Sequence, residues 1–178
     1  KIIEKNKLIH YDTYDYSLVN YINTNTEVDI ICKTHGIFKQ KPYNHLDGCG
    51  CPICKLSRGE VKILNYLKAN NIKYFRQYTY PDCKNINSLP FDFAILNDDD
   101  SVRFLLEFQG QQHYEPYDFS GKLTEQETYL NFLDLCKRDS IKKEYCKNNN
   151  IKLVEIKYTE MDYIDKILES NLKEDISN

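Results

Sequence analysis

The chain of 178 residues is 41% hydrophobic and 29% charged, a globular balance that excludes a disordered polymer and fits one domain, or one of about 120 residues beside a small module. Its net charge of −3 speaks against a uniformly basic face, so any nucleic-acid contact has to rest on a local cluster of cations. No secretory leader and no apolar run of roughly 20 residues is visible, so the expectation is an intracellular protein with no membrane partner. The chain opens on Lys1 rather than Met, and a preceding segment is expected.

In chain order, residues 1–30 read as short strands with too few aliphatics for a core, leading to Cys32. Gly36, Pro42, Gly48, Gly50 and Pro52 then punctuate a loop-rich stretch. Within it, Cys32-Lys-Thr-His35 and Cys51-Pro-Ile-Cys54 are two ligand pairs, each with two residues between partners, separated by fifteen residues. Tight knuckles of this kind supply the four tetrahedral ligands that Zn2+ needs, and three thiolates with one imidazole leave no open position, which makes the site structural. Cys49 competes for a ligand place and His45 could stand in for His35. Clustered thiols of this spacing favour metal in a reducing compartment over disulfides. The module is bounded at 1–56, with residues 57–178 as the second domain.

Ser57-Arg-Gly-Glu60 matches a capping box, and Val61, Leu64 and Leu67 follow at helical spacing, so a helix is expected from Arg58 to Ala69. Ile72–Thr79 reads as a strand. Phe91–Leu96 and Val102–Phe108 form a hairpin around the polar turn Asn97–Ser101. Tyr129, Leu133, Cys136, Ile141 and Tyr145 mark a long helix, Ile151–Ile156 another strand and Asp162–Leu172 a final helix. The order helix, three strands, helix, strand, helix predicts an α/β (α+β) fold with a mixed sheet.

Glu107 and Gln109 share a strand face, and Asp92 lies on the partner strand of the hairpin. Both acids sit in apolar runs, where an unpaired charge is costly. Two convergent carboxylates suit Mg2+ or Mn2+, which activate water and neutralise charge on a phosphodiester. From Lys137 to Lys152 the chain holds six basic residues against two acidic ones, and Lys137, Arg138, Lys142 and Lys143 are expected to contact DNA phosphates. The acidic stretch Glu160 to Asp175 reads as a solvated tail.

Two resemblances sharpen these readings. The first 56 residues, from Tyr14-Asp-Tyr-Ser through His35-Gly-Ile-Phe-Lys-Gln to Cys51-Pro-Ile-Cys54, resemble zinc-finger modules found beside nucleases in phages and large DNA viruses, which implies a treble-clef or ribbon-like finger that contacts DNA. Pro90-Phe-Asp92, fourteen intervening residues and Glu107-Phe-Gln109 resemble the PD-(D/E)XK nuclease motif with its αβββαβ core, Gln109 standing where lysine is usual. The longer string Glu107-Phe-Gln-Gly-Gln-Gln-His113-Tyr, with Asp139 downstream, is similar to the branch that contains very-short-patch repair and phage homing endonucleases.

By this resemblance Asp92 and Glu107 hold the catalytic metal, Gln109 orients the attacking water or a phosphate, His113 moves a proton, and Glu60 and Asp139 complete the acidic shell. Asp134 is the alternative to Asp139. Since Gln109 has no charge, either His113 or Lys142 must take the lysine's role, or the metal does more. The implied function is a metal-dependent DNA endonuclease of homing or site-specific type acting on double-stranded DNA, with a homodimer as one route to double-strand cutting. The alternatives are a mismatch-type nicking enzyme and a non-enzymatic DNA-binding protein on an inactivated nuclease fold.

Overall fold

In Val28-Asp-Ile-Ile-Cys32 every second side chain is buried, the alternation expected of a strand with one face on a core. The computed structural model, which describes residues 2–173, makes this segment the centre of a small antiparallel sheet. The sheet comprises β1 (Tyr14–Asp15), β2 (Val28–Cys32) and β3 (Gly36–Gln40). Gly36, at φ 79°, takes a left-handed conformation that suits glycine and lets β2 turn into β3, with Cys32 and His35 at the two sides of the turn. Tyr14, Tyr16, Val28, Ile30, Cys32 and Cys51 form the core, with Ile3 and Phe38 against it.

Where strands were expected at the start, the chain forms a helix, α1 (Ile2–His10). Its pattern is inverted relative to an ordinary amphipathic helix: Asn6 is buried, whereas Leu8 is 77% exposed. Nine residues are too few for a stable isolated helix, so packing rather than propensity holds it.

A second short helix, α2 (Pro42–Leu46), carries His45 into the interior, where it is fully buried. Its Nδ1 lies 2.7 Å from Gln40 Oε1 and 2.8 Å from the Cys49 carbonyl, so that nitrogen carries the proton and donates. Nε2 then accepts from the Tyr16 hydroxyl at 3.0 Å. The His10 ring stacks on His45 at 4.0 Å, and its Nε2 donates to the His45 carbonyl at 2.7 Å. One imidazole thereby ties together α1, β3 and the knuckle before Cys51.

The chain divides into two compact units between Ser57 and Arg58. The second has a four-stranded sheet of β4 (Tyr74–Tyr78), β5 (Phe91–Leu96), β6 (Val102–Gln109) and β7 (Leu153–Lys157), in that order. The first three strands are antiparallel, while β7 runs parallel to β6. A parallel pair needs a crossover, which α4 (Glu125–Asn148) supplies. Helices α3 (Arg58–Ala69) and α5 (Ile164–Lys173) complete the unit. It is a mixed α/β fold, and no helix of the described residues is long and apolar enough to cross a membrane.

Helix ends follow local chemistry. Thr124 and Glu127 form a reciprocal capping box that starts α4 at Glu125, a full turn ahead of Tyr129, where the apolar spacing begins. Both α3 and α4 are followed by an asparagine in left-handed conformation, Asn71 and Asn150, after which Ile72 and Ile151 donate back to the Leu67 and Cys146 carbonyls. The final helix begins at Ile164, after a 3-10 turn over Tyr158–Tyr163. Of the acidic stretch Glu160 to Asp175, the part beyond 173 lies outside the described residues.

Strand β6 is buried continuously from Phe104 to Gln109, as in a sheet covered on both faces. Leu105 and Ala94 pack with Ile141, Tyr145 and Cys146 of α4. Since alternate residues share a face, Glu107 and Asp92 are carried toward α4 by the same pleat.

Gly59 meets the ring of Phe108 so closely that a Cβ there would lie 2.1 Å from Cε2. Gly59→Ala is therefore expected to destabilise the second unit by about 1–3 kcal/mol, measured by denaturant melts. For the first unit, burial pushes the His45 imidazole down to about 4 from 6.5, against the pull of the Cys49 carbonyl and with the charge of His10 adding to the fall. Its neutral form is native, so stability is full above about pH 6.5 and is lost as pH falls toward 4. Ring nitrogen shifts of His45 should stay in the neutral range at about pH 5.5, and a midpoint near 6.5 would contradict the buried assignment.

Candidate metal cluster and acidic centre

Cys32 Sγ lies 3.6 Å from His35 Nδ1 and 3.7 Å from Cys54 Sγ, while His35 Nδ1 is 3.7 Å from Cys51 Sγ and 3.2 Å from Cys54 Sγ. All four ligand atoms fall within 4.8 Å of one another. A tetrahedron built on ordinary Zn–S and Zn–N lengths has edges of about 3.5–3.8 Å, so the donor set has the size and chemistry to hold a metal such as zinc. Among the described residues it is the single group of three or more Cys, His, Asp or Glu side chains brought this close.

Neither competitor enters the cluster. His45 is committed to the core, and Cys49 offers its carbonyl to His45. The Cys51 N–H donates to the Tyr14 hydroxyl at 2.7 Å, which ties the second knuckle to β1. Gly50 leaves room for this contact, as a Cβ there would lie 2.4 Å from that hydroxyl oxygen.

In the second unit the carboxylates meet on adjacent strands. The β5–β6 register pairs Phe93 with Leu106, which sets Asp92 opposite Glu107 one step further on. Phe108 N–H donates to Asp92 Oδ2 at 2.9 Å, and Gln77 Nε2 lies 3.4 Å from Oδ1. Glu107, 6% exposed, accepts from Lys142 Nζ at 2.7 Å, and that ammonium also lies 5.3 Å from the centre of the Phe91 ring. Burial, and then the charge of Asp92, push Glu107 up to about 8 against the opposing pull of Lys142. Asp92 is raised as well, chiefly by burial, with Glu60 adding to it and Phe108, Lys142 and His113 opposing. Two acids this close in a dry setting resist being ionised together.

His113 Nδ1 lies 2.6 Å from Asp139 Oδ2, with the two side chains only 12% and 15% exposed. Asp134 instead pairs with Arg138 at 3.0 Å along an exposed stretch of α4, so Asp139 is the acid that reaches this centre. Glu60 on α3 stands close enough for Asp92 to feel its charge.

Gln109 is held at both ends of its amide. It is buried, its Oε1 accepts from the Tyr114 hydroxyl and its Nε2 donates to Glu155. With both ends committed it links Tyr114, just after the Gln111–His113 turn, to Glu155 of β7. The basic strip also divides. Lys142 turns inward to Glu107, Lys143 pairs with Glu155 at 3.0 Å, Arg138 pairs with Asp134, and Lys137 is exposed. It is therefore not a continuous row of cations facing solvent.

Tyr114, Glu155 and Gln77 are not singled out by sequence reasoning. Glu155 carries a readable signal, an acid inside the apolar run Leu153-Val-Glu-Ile156, as Glu107 is inside its own. Gln77 carries none, because an exposed polar residue in an edge strand is ordinary.

Comparison with known proteins finds likeness over part of the chain. A family described as "Protein of unknown function (DUF723)" matches residues 1–55. Two uncharacterized proteins of Acanthamoeba polyphaga mimivirus are similar to parts of the chain: one is 52% identical over 40 residues, 22% of this chain and 14% of the relative. The other is 45% identical over 56 residues, 30% of this chain and 21% of the relative. The chain thus aligns with well under a third of the length of either. No solved structure matches.

Proposed function

We propose that the second unit is a metal-dependent DNA endonuclease and that the first is a zinc-stabilised module that adds contacts to double-stranded DNA. One observation carries the reading: Asp92 and Glu107 stand on adjacent strands with raised affinities for protons, and one largely enclosed lysine, Lys142, faces them. Such a pair suits a hard divalent cation, whose charge would let both acids ionise. Mg2+ or Mn2+ held by Asp92 and Glu107 would act as a Lewis acid on the phosphodiester and lower the pKa of a bound water.

The other roles belong to the chain's own groups. Lys142 supplies the positive charge that Gln109 lacks. Asp139 holds Nδ1 of His113 in its protonated form, which leaves Nε2 to accept a proton from the attacking water or return one to the leaving oxygen. Glu60 adds negative charge beside Asp92, and Gln109 keeps the His113 turn in place. Lys137, Arg138 and Lys143 lie along α4 as contacts for backbone phosphates, where binding would weaken with salt. The resemblance favours a homing or site-specific target, with mismatch nicking as its variant.

The zinc reading rests on the spacing of the Cys32, His35, Cys51 and Cys54 donor atoms. Metal binding would supply folding free energy to a unit with a small core, in a compartment reducing enough to keep three thiols. A second reading, DNA binding on an inactive fold, is favoured by the doubly committed Gln109.

Purified protein is expected to nick or cut DNA with Mg2+ or Mn2+. Asp92→Asn and Glu107→Gln should each reduce this by about 100-fold or more without unfolding the chain; binding with no cleavage under any divalent metal would favour the second reading. Metal analysis should find one zinc per chain, and chelation should unfold the first unit. In metal-free protein, Glu107 prefers its protonated form, so its contribution to stability is full below about pH 4.5 and is lost as pH rises toward 8. Denaturant melts across that range should show the decline, and Glu107→Gln should flatten it.

A further inference from the structure

Five non-glycine residues among those described have positive φ: Tyr11, Asn71, Gln77, Asp100 and Asn150. Tyr11, Asn71 and Asn150 follow helix ends and Asp100 lies in the β5–β6 turn, places where the chain has to reverse or stop. Gln77, at φ 52°, is different, because it lies inside strand β4. The ladder pairs Arg76 with Phe93 and Tyr78 with Phe91, and it skips the position between them, where Gln77 faces Asp92.

Glutamine has none of the tolerance of glycine or asparagine for the left-handed region. Nor is the strain offset by packing, since the Gln77 side chain is exposed. Such strain persists where it serves something other than stability, and its one visible product here is contact with Asp92. Nε2 points to Oδ1 at 3.4 Å, while the Phe108 N–H holds the other oxygen, Oδ2. A bond of this length is loose, as site hydrogen bonds are before substrate or metal draws them in.

We propose that Gln77 is a positioning residue of the acidic centre, held in a strained conformation so that its amide fixes the second oxygen of Asp92 and sets that carboxylate for cation binding. The proposal rests on the nuclease reading for its purpose. Its structural content is narrower: β4 has an irregularity at Gln77 that orients Asp92. Glycine relieves the backbone strain and removes the amide, whereas alanine keeps the strain and removes the amide. Stability therefore reports the backbone strain, whereas cation affinity reports the amide's hold on Asp92, which a residue serving only the fold would not affect.

The test compares the full chain with Gln77→Gly and Gln77→Ala in three measurements. The melting temperature of Gln77→Gly is expected to equal or exceed that of the parent, and Gln77→Ala to fall at or below Gln77→Gly. Mn2+ affinity, measured by calorimetry without DNA, is expected to weaken at least about 3-fold in both variants, the loss of roughly one hydrogen bond's orientation. Cleavage is expected to drop about 10-fold in kcat with little change in KM. Unchanged Mn2+ affinity, or a Gln77→Gly protein that melts clearly lower than the parent, would overturn the role assigned to Gln77. If the parent binds Mn2+ yet cuts nothing, the nuclease reading fails, and the two affinities still decide whether Gln77 positions Asp92.

Discussion

The burial of Glu107 is the constraint around which the second unit is arranged. Strand β6 lies between β5 and a parallel β7, and the crossover that a parallel neighbour requires covers it with α4. A carboxylate in such a strand has lost its water and must find charge or protons within the protein. The pieces around it answer that need: Lys142 comes down from α4, and Asp92 is tied to the Phe108 N–H. What remains is a pair of acids that resist being ionised together, with one lysine between the sheet and α4 to offset their charge.

A different shortage governs the first unit. Its core of two tyrosines, two aliphatics and two cysteines is small, and polar groups carry work that a larger domain leaves to leucine and phenylalanine. His45 is the clearest case, neutral and wholly enclosed, with each ring nitrogen engaged. Two of the four candidate ligands, Cys51 and Cys54, belong to the stretch that the hydrogen bonds of Tyr14 and His45 hold, so the donor cluster and those bonds share one piece of backbone. The interior thus depends on directional bonds, which fail together when one partner is charged or removed.

Much of this was legible in the residues. Regular periodicity marked α3, the β5–β6 hairpin and β7 to within a few residues, because apolar spacing and turn chemistry act locally. Helix α1 was illegible because its buried residue is Asn6 while Leu8 is exposed, the reverse of the pattern that periodicity detects. The pairs Cys32/His35 and Cys51/Cys54 could be read from spacing, since a knuckle is a local structure. That His35 and not His45 joins them depended on which imidazole the core enclosed.

Covalent spacing and the alternation of side chains along a strand were enough to define most of the elements, the ligand pairs and the two acids within apolar strands. The partners came from packing alone: Lys142 for Glu107, Asp139 rather than Asp134 for His113, Tyr114 and Glu155 for Gln109, and Gln77 for Asp92. Each of those pairings joins residues on separate elements or across a turn, and each is chosen by how the sheet register and the docking of α4 bring them together. Spacing along a chain can say that a buried charge needs a partner, but the packing of the helices on the sheet selects which one it gets.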